Sequence, residues 1–229
     1  MPVLSNSEFL PSEKGFFEFL KIRFATVGVD YDEIEQYLLA SLEISEKRFR
    51  LNKSKYFTGD NGTRASFIAT HYSSHALVLY QLARECFLRG RRDLAEKIYF
   101  LNISTTAADL FYEVDLPLRT GCDHPLGSVI GRAKFSAESS LFFRQNCNVG
   151  GNRNIAGTPI YPEVSGNLYM NPRSSIIGRC VVIGTVILAN GVYVKDHGVL
   201  ENVVVFGSSP DLIVKPINET LYLQSRVFH

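Results

Sequence analysis

The sequence predicts an α+β chain: an N-terminal α-helical domain over residues 1–116, then a parallel β-helix with a C-terminal tail over residues 117–229. Three observations carry that prediction. Val164, Met170, Ile176, Val182, Leu188 and Val194 recur at a period of six. Two places after each stands a residue that turns corners readily: Gly166, Pro172, Gly178, Gly184, Asn190 and Asp196. Before Leu116-Pro117, by contrast, apolar residues follow helical spacing.

The helical part reads in order. Asp30 and Asp32 are both candidates to cap a helix carrying Ile34, Tyr37, Leu38, Leu42 and Ile44. Gly59-Asp60-Asn61-Gly62 reads as a loop. An amphipathic helix follows from about Thr70 to Arg89, with Leu79, Leu82, Ala83, Cys86 and Phe87 inward and Gly90 placed to stop it. Asp93 is expected to cap the next helix, which packs Leu94, Ala95, Ile98 and Leu101.

After Pro117, Gly, Asn and β-branched residues rise. A six-residue period suits a triangular coil in which each hexad forms one side and three close a turn. The first hexad position points inward and stacks on the turns above and below, about 4.8 Å away. A further register lies four places on: Leu168, Ser174, Cys180, Val186 and Val192. Upstream, Ala137, Phe143 and Val149 are also six apart, and Ile130 precedes Ala137 by seven. The period therefore breaks near Gly131–Ser136 and again between Gly150 and Tyr161. The second break is polar and Gly-rich and is expected to leave the prism as a loop, a common carrier of function. The coil is unstable with open ends, so the helices are expected to cover one. The tail after Pro210 either covers the other or runs along a face.

Composition narrows the function classes. Lys and Arg total 24 against 23 Asp and Glu, a net charge of +1, with no basic excess for nucleic acid or an anionic membrane. The N-terminus lacks the basic and apolar regions of a secretory signal. The most apolar stretch, Cys180 to Val194, is too short and interrupted to span a bilayer. Cys86, Cys122, Cys147 and Cys180 are scattered without zinc-ligand spacing, so no metal is expected. A reducing, cytoplasmic setting fits.

One ordered set of motifs resembles a known family. Asp123-His124-Pro-Leu-Gly-Ser-Val-Ile-Gly-Arg, then Val149-Gly150-Gly151, a loop, Tyr161-Pro162 and hexads is similar to bacterial serine acetyltransferase. His75-Ala-Leu-Val-Leu-Tyr, Arg89-Gly-Arg-Arg-Asp-Leu-Ala95 and Phe111-Tyr-Glu-Val-Asp extend the likeness, which runs from roughly His75 to Lys215. The resemblance implies a left-handed coil and direct transfer of acetyl from acetyl-CoA to an acceptor hydroxyl. It also implies a homotrimer or dimer of trimers, with sites at subunit boundaries.

His124 is the candidate general base, since imidazole accepts a proton near neutral pH. Asp123 is the adjacent carboxylate, and Asp115 and Asp60 are alternative orienters. The family's Arg-His-Pro after the loop is Ile160-Tyr161-Pro162 here. Isoleucine offers a carboxylate no partner, which widens the acceptor from L-serine to sugars. Tyr161 is a candidate to hydrogen-bond that acceptor or to pack under the loop. Asp60 is the nearest counterpart of the family's N-terminal aspartate, and Arg153 is a loop cation that meets an anionic acceptor, CoA or solvent. Ser174, Ala189 and Asn190 match the places that flank CoA, and Lys195 and Lys215 can reach its phosphates. His71 and His75, one helical turn apart, are expected on a helix facing the coil's end. Alternative readings are a sugar N-acetyltransferase of surface polysaccharide synthesis, a zinc hydratase on the same prism, and a non-catalytic assembly module.

Overall fold

The computed structural model describes residues 11–53 and 71–225. Four helices come first: α1 (Pro11–Thr26), α2 (Tyr31–Leu51), α3 (Tyr72–Leu88) and α4 (Arg92–Thr106). Asp30 caps α2, its carboxylate accepting from the Asp32 amide. Asp93 does not cap α4: Arg91 occupies that position, and Asp93 sits in the first turn. There it receives two hydrogen bonds from the Arg91 guanidinium, which hold its carboxyl down to about 2. α3 is the central helix, buried from Ser73 to Cys86. It packs chiefly on α4 and α2. Asn102 ties α4 to α3 by donating to the Ala76 carbonyl at 3.0 Å.

A left-handed β-helix of about five turns follows. The first turn holds β1 (Asp109–Leu110) and β2 (Arg119–Cys122), so the coil begins ahead of Pro117. The second holds β3 (Val129–Ile130), β4 (Lys134–Phe135) and β5 (Ser140–Phe143). The third holds β6 (Asn148–Gly150), a hairpin of β7 (Asn152–Arg153) and β8 (Pro159–Ile160), then β9 (Glu163–Val164) and β10 (Asn167–Met170). The fourth is β11 (Ser175–Ile177) and β12 (Cys180–Leu188), and the fifth β13 (Tyr193–Lys195) and β14 (Gly198–Ser208). β15 (Asp211–Pro216) folds back antiparallel along β14, so the tail takes the face, and α5 (Glu219–Ser225) ends the described chain.

Parallel pairing sorts these strands into three faces. Face A is β1, β3, β6, β11 and β13. Face B is β4, β9 and the first halves of β12 and β14. Face C is β2, β5, β10 and the second halves of β12 and β14. Every member of the Val164–Val194 column is buried, and so are Leu168, Ser174, Cys180, Val186 and Val192.

One assignment upstream is corrected. Ala137 is exposed, and Phe135 takes the inward place by pairing with Val164. The polar stretch Ser136–Ser139 turns back on itself, with the Ser139 amide on the Ser136 carbonyl at 3.1 Å. It therefore bulges at a corner and shifts the register, which Leu141 and Phe143 resume against Leu168 and Met170.

The helices and coil share one apolar core. The buried Tyr80 hydroxyl donates to the Val114 carbonyl at 2.6 Å and accepts from the Leu116 amide at 3.0 Å. That single oxygen clamps the linker between the two parts.

Corners need the left-handed backbone. Gly184 has φ +60, and a Cβ there would meet Asn202 Oδ1 at 2.2 Å. The same oxygen accepts from the Thr185 amide at 3.1 Å. Gly184→Ala is expected to cost about 2–3 kcal/mol, combining left-handed strain with the displaced hydrogen bond. Gly191→Ala, at φ +71 but with nothing within 4 Å of its Cβ, carries the strain alone and is expected to cost about 1–2 kcal/mol. Urea unfolding of both variants checks the difference.

Candidate active site

Faces C and A meet at an edge that each turn passes. Its corners carry left-handed residues in register: Gly127, Asn146, Arg173 and Gly191, with φ from 55 to 71. Asp123 and His124 open the first of these corners, directly after β2. The Asp123 amide donates to the Phe143 carbonyl at 3.0 Å, and the His124 carbonyl accepts from the Leu126 amide at 2.8 Å. His124 itself is held at φ +52. A non-glycine residue in that region costs of order 1–3 kcal/mol and persists only where its surroundings enforce it.

Both imidazole nitrogens have neighbours. Nδ1 shares a hydrogen bond with the Tyr72 hydroxyl. Nε2 lies 3.4 Å from Asp123 Oδ1, a buried oxygen. Tyr72 is the first residue of α3 and its ring also stacks on His71, centroids 5.5 Å apart. The His124 side chain stays about half exposed, at 53%. The sequence offered no signal for Tyr72, which lies 52 positions from His124 and meets it only because α3 seats on the open end of the coil.

The alternative orienters fare differently. Asp115 pairs with Arg84 at 2.9 Å rather than with His124. Asp60 lies outside the described residues. His71 is the N-cap of α3, which seats on the coil's end as expected, and this places it beside the pair: burial lowers its pKa first, Asp123 opposes that, and His124 adds to it. His75 is buried on α3 against the Phe19 ring. Burial pushes the Cys122 thiol up to about 12, so no thiolate stands next to Asp123 at neutral pH.

The hairpin residues gather elsewhere. β7 and β8 leave the prism at the edge between faces A and B, so Arg153 and Tyr161 emerge across face A from His124. Arg153 donates to the Gly157 carbonyl at 2.8 Å and closes its own hairpin. The Tyr161 ring packs over Gly151, where a Cβ would come within 2.6 Å of it. Ile155 at the tip is fully exposed. Two clefts flank this hairpin, of about 510 and 340 Å³, and Ile160 and Arg179 line both. Arg179 went unnoticed in the sequence because its hexad position is an ordinary surface one.

The proposed CoA positions divide. Ala189 and Asn190 lie on the same edge as His124, and the space beside Gly191 is open. Ser174 is fully buried, its hydroxyl donating to the Asn171 carbonyl at 2.7 Å, so a molecule outside the prism cannot reach it. Lys195 is exposed at the end of β13, and Lys215 lies on β15 with its ammonium 5.8 Å over the Phe206 ring. Among the described residues no group of three or more His, Cys, Asp or Glu is placed to hold a metal ion, and no helix is long and apolar enough to cross a membrane.

No family model matches the sequence, and no curated protein matches it significantly. Solved structures do match. Serine acetyltransferase from Brucella abortus superposes with a TM-score of 0.65 at 18% identity, over 85% of this chain and 81% of its own. The chain has the fold of the serine acetyltransferases. The Brucella abortus protein in complex with coenzyme A gives a TM-score of 0.65 at 16% identity, over 91% and 83%. The Neisseria gonorrhoeae protein in complex with serine gives 0.64 at 19%, over 92% and 84%.

Acid should expose the burial of His71. Its pKa is lowered in the folded chain, so below the unfolded value of about 6.5 the unfolded chain binds the extra proton and stability falls. His71→Gln is expected to shrink the loss of stability between about pH 7.5 and pH 5.5. Urea midpoints of the wild type and variant at the two pH values measure it.

Proposed function

We propose that the chain is an acetyl-CoA-dependent O-acetyltransferase acting on a small acceptor, L-serine or a sugar, in one step with His124 as general base. The observation that carries this reading is the His124 ring, half exposed at the head of a coil edge and bracketed by Tyr72 and Asp123.

For Nε2 to accept a proton, Nδ1 must carry the ring hydrogen and donate it to the Tyr72 oxygen. The acceptor hydroxyl attacks the thioester carbonyl while Nε2 takes its proton. The C–S bond then breaks, and the proton passes from Nε2 to the departing CoA sulfur. Asp123, beside Nε2, stabilises the imidazolium in between. Tyr72 is a positioning residue: its hydroxyl holds the ring at Nδ1 and so sets where Nε2 points.

Acetyl-CoA suits the edge that runs from His124 past Ala189, Asn190 and the open space at Gly191. Small residues let a pantetheine arm lie close, and Lys195 is within the same turn for a phosphate. Ile160 gives an acceptor's anionic group no partner, and Arg179 beside it in both clefts does. That cation serves the carboxylate of serine or the phosphate of a nucleotide-linked sugar.

The hairpin and His124 occupy different edges, so one chain does not unite them. A homotrimer does, with the hairpin of one copy reaching the His124 edge of the next. The fully exposed Ile155 at the hairpin tip supports that assembly.

His124→Ala is expected to lower turnover by about 10²–10⁴ and leave CoA binding unchanged, while Tyr72→Phe costs about tenfold in kcat with the acetyl-CoA KM unaltered. Thiol release with L-serine and nucleotide-linked sugars, alongside calorimetry with CoA, reads both. Joint loss of turnover and CoA binding in His124→Ala would mean a structural role. Co-expressing His124→Ala with a chain whose residues 152–160 are replaced by Gly-Ser tests the shared site. Random trimers should recover about a quarter of wild-type activity, whereas a site within one chain recovers none.

A further inference from the structure

A third cleft lies apart from the edges, between the helices and the coil. It measures about 510 Å³ and is walled by α2, α3, the linker around Leu116 and the start of the Ser136 bulge. Leu88, Leu118 and Phe135 line it, and Leu88 and Leu118 are exposed there. The volume is that of a small-molecule site.

Its charges are almost all matched. Arg84 pairs with Asp115 at 2.9 Å. Glu85 pairs with Arg89 and accepts from Gln81 Nε2 at 3.0 Å. Arg48 is the exception. It is 2% exposed, and no carboxylate lies within ion-pair distance of it among the described residues. Its Nη1 donates to Gln81 Oε1 at 3.2 Å and its guanidinium stands 5.7 Å over the Tyr80 ring. Its Nε is buried with no hydrogen-bond partner among the described residues. Burial draws its pKa below the usual arginine value, and the charges of Tyr80 and Asp115, neither of them in ion-pair contact with it, oppose that without cancelling it. Buried cations are ordinarily paired, because an unpaired one forfeits its hydration for nothing.

We infer that this cleft binds a small amphipathic monocarboxylate, its carboxylate on Arg48 and its hydrocarbon chain against Leu88, Leu118 and Phe135. The unmatched positive charge selects an anion. Charge matching limits it to one negative group, since Arg84 is already neutralised. The apolar wall selects a hydrocarbon over a sugar or a nucleotide. The site is separate from the proposed acetyl transfer and stands or falls without it.

The test is calorimetry and thermal unfolding of the full chain with the series butanoate to octanoate, each against the alcohol of equal length. At least one carboxylate should bind saturably, one per chain, raise the Tm, and exceed its alcohol by about tenfold or more in affinity. Arg48→Met keeps the stem and removes the charge; it should fold with undiminished Tm and weaken carboxylate binding by about tenfold or more. Ala137→Trp, an exposed change at the cleft's rim, should weaken it similarly with Arg48 intact, and guards against a misfolded Arg48 variant. His124→Ala should bind as the wild type does. No saturable binding by any member at about 10 mM overturns the inference. Equal affinity for alcohol and carboxylate, or binding undiminished in both cleft variants, overturns it as well.

Discussion

The structure depends on how each turn gets round its corners. A prism of parallel strands needs the backbone to enter the left-handed region at fixed places, and stacked turns need those places to coincide. Gly184 under Asn202 shows the constraint most plainly. The asparagine oxygen fills the volume a Cβ would need and holds the amide of Thr185. Asp196 does the same above Gly178, its Oδ1 taking the Arg179 amide at 2.8 Å. A glycine in one turn and a short polar side chain in the next thus lock two coils into register. Because the corners stack, they form continuous edges, and the edges carry Asp123, His124 and the hairpin with Arg153 and Tyr161.

The period of six was legible because an interior only one side chain wide admits one kind of residue at one place. From Val164 to Val194 that selection is strict, and all six side chains are buried. It fails where a corner holds surplus residues. Ala137 kept arithmetic step with Phe143, but Phe135 fills the interior and Ser136–Ser139 bulge outside. Counting cannot distinguish these, since an alanine suits the surface as well as the core. Asp93 misled for a related reason: an acidic residue in a helix's first turn and one at its cap look alike until the backbone of Arg91 is seen.

The candidate site was legible in part. Asp123-His124 announces itself through residue chemistry and its place before the Gly-Gly loop. Tyr72 does not, because the contact joins α3 to the first corner across a long sequence separation and exists only once helices and coil have packed. Arg48 was invisible in the same way. On α2 it reads as one more charge in a polar helix end; its burial, and the absence of a carboxylate in ion-pair contact among the described residues, are properties of the assembled interface.

The seating of α3 therefore does two jobs. Tyr80 clamps the linker that sets the first turn against the helix, and Tyr72, two turns earlier on the same helix, meets the imidazole that this turn presents. A histidine at φ +52 needs enforcement, and the helix supplies it at the ring while the coil supplies it at the backbone. Helical and coiled parts are consequently not a catalytic module with an appendage. The proposed base is oriented by the first and carried by the second, so separating them at residue 116 would leave His124 without the hydroxyl that holds its ring.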